Sequence, residues 1–122
     1  MAKHLDTGKR GEQLAAEFLQ NQGFHILETN WRFSRTEVDI IARDGSVLVF
    51  VEVKTRSYDF FGQPEEFVSK AKERHLARAA AAYMQATGYE WEIRFDVVSV
   101  LMKNELEWTV KHLPDAFFPG IG

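Results

Sequence analysis

The sequence predicts an α/β fold with helices and strands in the order α-β-β-β-α-β, followed by one last strand. Two apolar runs, Val38 to Ala42 and Val47 to Val53, flank a short segment that contains Asp44-Gly45. An Asp-Gly pair between β-branched runs is typical of a β-hairpin. Segments with apolar residues at three-to-four-residue spacing precede and follow this hairpin, which indicates helices on both sides of it along the chain.

The two helices are predicted from about Thr7 to Gln22 and from Val68 to Thr87. Gly23 and Gly88 follow them directly and are expected to end them. The apolar residues that recur at helical spacing are Leu14, Ala15, Phe18 and Leu19 in the first helix, and Ala71, His75 or Leu76, Ala79, Ala82, Tyr83 and Ala86 in the second.

Three further strands are predicted, from Phe24 to Trp31, from Trp91 to Met102 and from Leu106 to Leu113. Asp96 lies inside the second of these, and we interpret it as a structural residue that pairs with a basic side chain. The aromatic residues of the Ser57 to Glu66 loop form either a hydrophobic plug or a surface for stacking bases. The apolar tail, Pro114 to Gly122, is expected to dock on the body of the protein or on a second subunit.

Composition limits the classes of function. The chain has no cysteine, which excludes disulfide scaffolds, thiolate zinc sites and cysteine nucleophiles, so a metal would need oxygen or imidazole ligands. The net charge of -3 argues against nonspecific binding of polyanions, although most basic residues lie before Glu90 and allow a local basic face. Without a signal peptide or a membrane span, we expect one cytoplasmic domain over residues 1–122, with a core at about 8–113.

Charged residues interrupt the apolar strands of the predicted hairpin. Asp39 lies in the first strand, and Glu52 comes 13 residues later, in the second strand. Glu52 and Lys54 share one face, since successive strand side chains point to opposite faces. The ordinary interpretation is a solvent-exposed face with weak charge pairs. These strands are too apolar for sheet edges, however, and buried carboxylates need a proton, a cation or a metal.

The pattern Asp39 with Glu52-Val53-Lys54 resembles the signature of the PD-(D/E)xK nuclease superfamily. Together with the element order, the matching segments resemble the YraN-like family of uncharacterised bacterial proteins, which are related to archaeal Holliday-junction resolvases. These segments are Gly8 to Glu12, Gly23-Phe24, Asn30 to Arg32, Glu37 to Ala42, Val49 to Arg56, Val68 to Lys72 and Arg94 to Val98. Val38 and Thr36 depart from the superfamily and family patterns. The resemblance implies a restriction-endonuclease-like fold, in which helices flank a central mixed sheet.

The resemblance also implies a metal-dependent endonuclease that hydrolyses DNA. Asp39 and Glu52 would bind Mg²⁺ or Mn²⁺ with help from the Val53 carbonyl, and Glu12 would be an additional acidic ligand. Lys54 would orient or deprotonate the attacking water, or stabilise the pentavalent phosphorane. Lys72, Arg56 and Arg32 would hold the DNA backbone, and Glu37 would be an outer-shell carboxylate or an arginine partner.

Two other functions stay open at this stage. One is a non-catalytic nucleic-acid-binding or assembly module that uses the acidic cluster structurally, which the acidic net charge favours. The other is a metal-dependent enzyme for a small phosphorylated substrate, although the sequence has no glycine-rich phosphate loop. DNA is the expected partner of the nuclease, and a preference for branched DNA would require a homodimer, since paired cuts need two active sites related by a two-fold axis.

Overall fold

The computed structural model describes residues 7–57 and 68–118 of the chain. The elements follow the predicted order, including the predicted last strand. They are α1 (Thr7–Asn21), β1 (His25–Phe33), β2 (Thr36–Asp44), β3 (Val47–Ser57), α2 (Lys70–Thr87), β4 (Ile93–Asn104) and β5 (Glu107–Phe117).

The helix boundaries follow from local capping. Gly23, with a φ of 96°, follows α1, and Gly88, with a φ of 74°, donates its backbone N–H to Met84 at the end of α2. Ser69 caps the start of α2 by accepting a hydrogen bond from the Lys72 backbone N–H at 3.1 Å. The predicted ends of both helices are thus confirmed to within one residue, whereas α2 starts two residues later than predicted.

The predicted apolar stripe of α2 is only partly correct. The buried residues of this helix are Leu76, Ala79, Ala80 and Tyr83. Leu76 is thus the member of the predicted pair His75 or Leu76 that is buried, whereas Ala71 and Ala86, which are also predicted for the stripe, are exposed. The physical reason is that alanine favours helices whether or not it is buried, so an alanine-rich segment indicates a helix better than it indicates which face is buried.

The five strands form one mixed sheet in the order β1-β2-β3-β4-β5. Neighbouring strands are antiparallel except for β3 and β4, which are parallel and are connected through α2. The strands β2 and β3 are internal, as their apolar sequences predict. The fold is therefore an α/β fold with a mixed sheet.

Each face of the sheet carries one helix and one apolar cluster. Side chains of α1 pack with Ile40, Val49 and Val51 on one face, whereas side chains of α2 pack with Ile41 and Phe50 on the other. Alternation along β3 places Glu52 and Lys54 on the same side as Phe50, which is the α2 side. The functional candidates of β3 therefore point toward the first turn of α2.

The last strand extends further toward the C-terminus than predicted. β5 continues to Phe117, and the Phe117 ring stacks on Phe95 with the ring centroids 5.3 Å apart. The first part of the predicted tail thus packs on the body of the protein, while Phe118 is exposed. The aromatic residues of the predicted loop and residues 119–122 lie outside the described residues. No helix in the described part of the chain is long and apolar enough to cross a membrane.

Candidate functional site

The site lies where the strands β2 and β3 stop pairing with each other. Their register ends at Ile40 and Val51, although β1 continues beside β2 to Thr36 and β4 continues beside β3 to Ser57. One further step of the register would place Asp39 opposite Glu52. The early end of this ladder leaves a gap inside the sheet, and both carboxylates lie at this gap.

Asp39 replaces a ladder hydrogen bond at the gap. Its Oδ2 accepts the backbone N–H of Val53 at 2.8 Å, so a side chain satisfies a donor that the β2 backbone does not reach. Val38 packs on the α2 side, whereas Ile40 packs on the α1 side, so the side-chain alternation of β2 is interrupted at Asp39. The sequence positions Asp39 at a local distortion between two buried strand residues.

Burial makes the charged form of Asp39 unfavourable. The residue is 9% exposed, and burial followed by the nearby Glu52 carboxylate raises its pKa to about 8. The Val53 N–H and the Lys72 ammonium act in the opposite direction, while the Glu12 carboxylate adds to the rise. Asp39 thus belongs to a group of carboxylates whose mutual repulsion is only partly offset.

Glu52 lies between two lysines. Its Oε2 is 3.3 Å from the Lys54 Nζ and 3.5 Å from the Lys72 Nζ, and the residue is only 4% exposed. Its Oε1 is buried and has no hydrogen-bond partner among residues 7–57 and 68–118. An unsatisfied buried carboxylate oxygen is costly, so this atom is available for a ligand.

Glu12 lies on α1, on the opposite face of the sheet from α2, and α1 approaches β3 closely. A Cβ atom on Gly11 would lie 1.9 Å from the Thr55 Oγ1, so only glycine allows this contact. The Asn30 side-chain amide of β1 donates to the Glu12 Oε1 at 2.8 Å. The close contact and this hydrogen bond fix the position of Glu12.

Asp39, Glu52 and Glu12 share one property that sequence alone does not reveal. In each carboxylate, one oxygen is paired with protein donors: the Val53 N–H, two lysines, or the Asn30 amide. Among the described residues, the second oxygen of each of the three accepts no hydrogen bond. This arrangement holds each carboxylate in place and leaves an oxygen free to bind a cation.

The donor chemistry fits a hard divalent cation. Mg²⁺ is commonly held by one or two carboxylates together with water, and Asp39 and Glu52 supply two buried carboxylates with free oxygens. Within residues 7–57 and 68–118, however, no group of three or more histidine, cysteine, aspartate and glutamate side chains could hold a metal ion as arranged. Glu12 as a third ligand therefore stays a prediction.

The predicted nucleic-acid contacts fall in different environments. Lys72 belongs to the site through Glu52. Arg56 lines a cavity of about 330 Å³ at the end of β3, together with Thr55 and Lys103. Arg32 instead lies 3.8 Å from Glu37, which agrees with the expectation that Glu37 pairs with a nearby arginine.

Sequence reasoning missed Asn30 as a member of the site. The residue belongs to one of the segments that carry the family resemblance, but no role is predicted for it there. Its residue type could have indicated a special role, because asparagine tolerates a positive φ better than most residues. Asn30 has a φ of 52°.

The fold and the site define an α/β protein that presents two buried carboxylates and two lysines at a gap in a mixed sheet. A sequence model described as "Uncharacterised protein family UPF0102" matches residues 11–100. A UPF0102 protein of Flavobacterium psychrophilum is 48% identical over 118 residues, covering 97% of this chain and 98% of that protein. A UPF0102 protein of Chlorobium chlorochromatii is 46% identical over 118 residues, covering 93% and 92%.

A relative with lower identity gives the same result. A UPF0102 protein of Rhodococcus jostii is 41% identical over 118 residues, covering 96% of this chain and all of that protein. The chain belongs to the UPF0102 family. The resemblance drawn from the sequence is thus confirmed at the level of the family.

Proposed function

We propose that this protein is a metal-dependent endonuclease that hydrolyses DNA phosphodiester bonds at the gap between β2 and β3. The observation that supports this proposal best is the set of half-satisfied carboxylates. Asp39 and Glu52 are buried beside each other, and each keeps one oxygen without a protein partner among the described residues. Hard oxygen donors in this state suit Mg²⁺ or Mn²⁺.

Asp39 and Glu52 would hold the cation through their free oxygens, and the Val53 carbonyl is the predicted backbone ligand. When bound, a divalent cation supplies Lewis-acid activation of the phosphate and of the attacking water. The Val53 N–H fixes the orientation of the Asp39 carboxylate at 2.8 Å. Glu12 is the candidate for a further acidic ligand or a water-orienting group.

The two lysines supply positive charge on the α2 side of the gap. Lys54 lies on the same face of β3 as Glu52, with its Nζ 3.3 Å from the Glu52 carboxylate. Lys54 would orient the attacking water, accept its proton after losing one of its own, or stabilise charge on the phosphorane. Lys72 approaches from α2 and would hold a phosphate oxygen, and Arg56 would contact the DNA backbone beyond the end of β3.

The test compares cleavage by wild type and Glu52→Ala in Mg²⁺ and in Mn²⁺. Labelled linear duplex, single-stranded, flapped and four-way-junction DNA are the substrates. We expect metal-dependent cleavage by wild type and at least a hundredfold loss in Glu52→Ala, with the same loss in Asp39→Ala. Glu17→Ala, which removes an exposed carboxylate of α1, is the matched control and should cut like wild type. Equal cleavage by Glu52→Ala would reject the assignment.

A specific observation favours a second candidate, a non-catalytic nucleic-acid-binding module. Glu52 is already paired with Lys54 and Lys72, so the cluster is partly neutralised by the protein itself. This candidate predicts salt-sensitive DNA binding without cleavage in either metal. Binding that is unchanged in Glu52→Ala, with no cleavage by wild type, would favour it over the nuclease.

A further inference from the structure

Asn30 lies directly beside the candidate site on the edge strand β1. The register pairs Thr29 with Ile40 and Trp31 with Val38, which places Asn30 opposite Asp39. Its side-chain amide donates to the Glu12 Oε1 at 2.8 Å, although the two residues are 18 positions apart in the chain. Asn30 therefore connects the strand next to Asp39 with the helix that carries Glu12.

The backbone of Asn30 adopts an uncommon conformation at this point. Its φ is 52° within a strand, where an extended conformation is the rule. A positive φ at a residue other than glycine has an energetic cost and is worth explaining by what it positions. Here the side chain of the residue with the positive φ reaches across to the α1 helix.

The hydrogen bond leaves a defined part of Glu12 free. Oε1 is held by the Asn30 amide, and no hydrogen bond or ion pair to Oε2 is present in the described part of the chain. Glu12 also acts electrostatically on Asp39, so its carboxylate lies close enough to affect the same site. The amide thus holds one oxygen of Glu12 toward β1 and leaves the other oxygen directed away from it.

From this geometry we infer that Asn30 is a positioning residue that orients Glu12 for cation binding at the gap between β2 and β3. The inference rests on the proposed function, because it assigns Asn30 a role toward the same metal site. Partners that orient the ligands of a metal commonly change its affinity by ten- to a hundredfold when they are removed. Since the Asn30 bond is exposed to solvent, we expect a loss at the lower end, about tenfold.

The experiment measures Mn²⁺ affinity by calorimetric titration of the full chain, without DNA. Asn30→Gly is the informative variant, since glycine keeps the positive φ without strain and removes the side chain that carries the amide. Asn104→Ala is the matched control, because Asn104 makes a similar exposed hydrogen bond to Glu107 at 3.0 Å in the β4–β5 turn. Thermal unfolding of each variant checks that the fold is retained.

We expect Asn30→Gly to weaken Mn²⁺ binding about tenfold, while Asn104→Ala leaves it unchanged. In a Glu12→Ala background, Asn30→Gly should have no further effect, because a positioning residue acts only through the group it positions. Provided that Glu52→Gln abolishes Mn²⁺ binding, two results would overturn this inference and leave the proposed metal site standing. One is unchanged Mn²⁺ affinity in Asn30→Gly. The other is an Asn30→Gly effect that is as large in the Glu12→Ala background as in wild type. If wild type binds no Mn²⁺, or if Glu52→Gln binds as well as wild type, the proposed metal site fails and the inference fails with it.

Discussion

Two aspartates lie inside apolar strands of the same sheet, and they are held in opposite ways. Asp96 in β4 is completely buried, and both of its oxygens are saturated. Arg94 donates to Oδ1 and Oδ2 at 2.9 and 3.0 Å, the Asp115 backbone N–H donates to Oδ1 at 2.9 Å, and the His112 Nε2 is 2.7 Å from Oδ2. Within the described part of the chain, Asp39 has one hydrogen bond, and it lies near another carboxylate.

The pKa values of the two aspartates move in opposite directions. Burial alone would raise both. For Asp96, the hydrogen bonds from His112, Arg94 and Asp115 outweigh burial and lower the pKa below its usual value. For Asp39, burial and Glu52 outweigh the single Val53 hydrogen bond, and the pKa rises to about 8.

The difference indicates what each residue is for. This sheet is able to bury a carboxylate with complete compensation, as it does at Asp96. The incomplete compensation at Asp39 and Glu52 is therefore a local property of the gap rather than a general property of the fold. Uncompensated groups of this kind concentrate at functional sites, which agrees with the proposed cation site.

The largest effect is expected from Asp96→Asn. The amide removes the negative charge and turns an NH₂ group toward the donors of Arg94 or His112, and breaking a buried ion pair costs about 3–5 kcal/mol. Urea unfolding at pH 7 should show this loss of unfolding free energy. Asp44→Asn is the control, because Asp44 also contacts Arg94, at 3.1 Å, but its side chain is 44% exposed, so a loss of about 1 kcal/mol or less is expected. Equal losses in the two variants would contradict the structural role of Asp96.

Asp39→Asn is expected to have the opposite sign. The amide oxygen still accepts the Val53 N–H, and the amide avoids the choice that Asp39 faces on folding, which is to ionise beside Glu52 or to take up a proton. Since burial and Glu52 make ionisation of Asp39 unfavourable, the metal-free variant should be more stable at pH 7.5 by on the order of 1–2 kcal/mol. The measurement is urea unfolding in EDTA. Destabilisation by more than about 1 kcal/mol would mean that Asp39, like Asp96, is structural.

Much of this contrast could be predicted from the sequence. Asp39, Glu52 and Lys54 were located by the hairpin and by their spacing, because strand alternation and an Asp-Gly turn are local signals. The pairing of Asp96 with a basic side chain was also predicted and is confirmed by Arg94. Element order followed from periodicity, and helix ends followed from glycines that cap locally.

The rest depends on contacts between distant parts of the chain. The gap arises where the β2–β3 ladder ends, and no turn residue marks that point. The Asn30 bond to Glu12 joins β1 to α1, and His112 reaches Asp96 from β5, so neither pairing follows from local pattern. The exposed alanines of α2 were misassigned because their helix propensity is independent of burial.

The smallest expected effect is a shift in acid sensitivity at Asp96. Because its folded pKa is lowered, the stability that its ionisation contributes is complete above the unfolded pKa of about 4 and decreases as the pH falls through the folded pKa. In His112→Gln, one of the interactions that lower this pKa is weakened, so the loss still begins near the unfolded pKa but should be smaller and end at a higher pH than in wild type. Urea unfolding between pH 7 and pH 2.5 measures both curves. Curves that run parallel over this range would mean that His112 does not contribute to the compensation of Asp96, and the contrast with Asp39 would then rest on Arg94 and the Asp115 N–H.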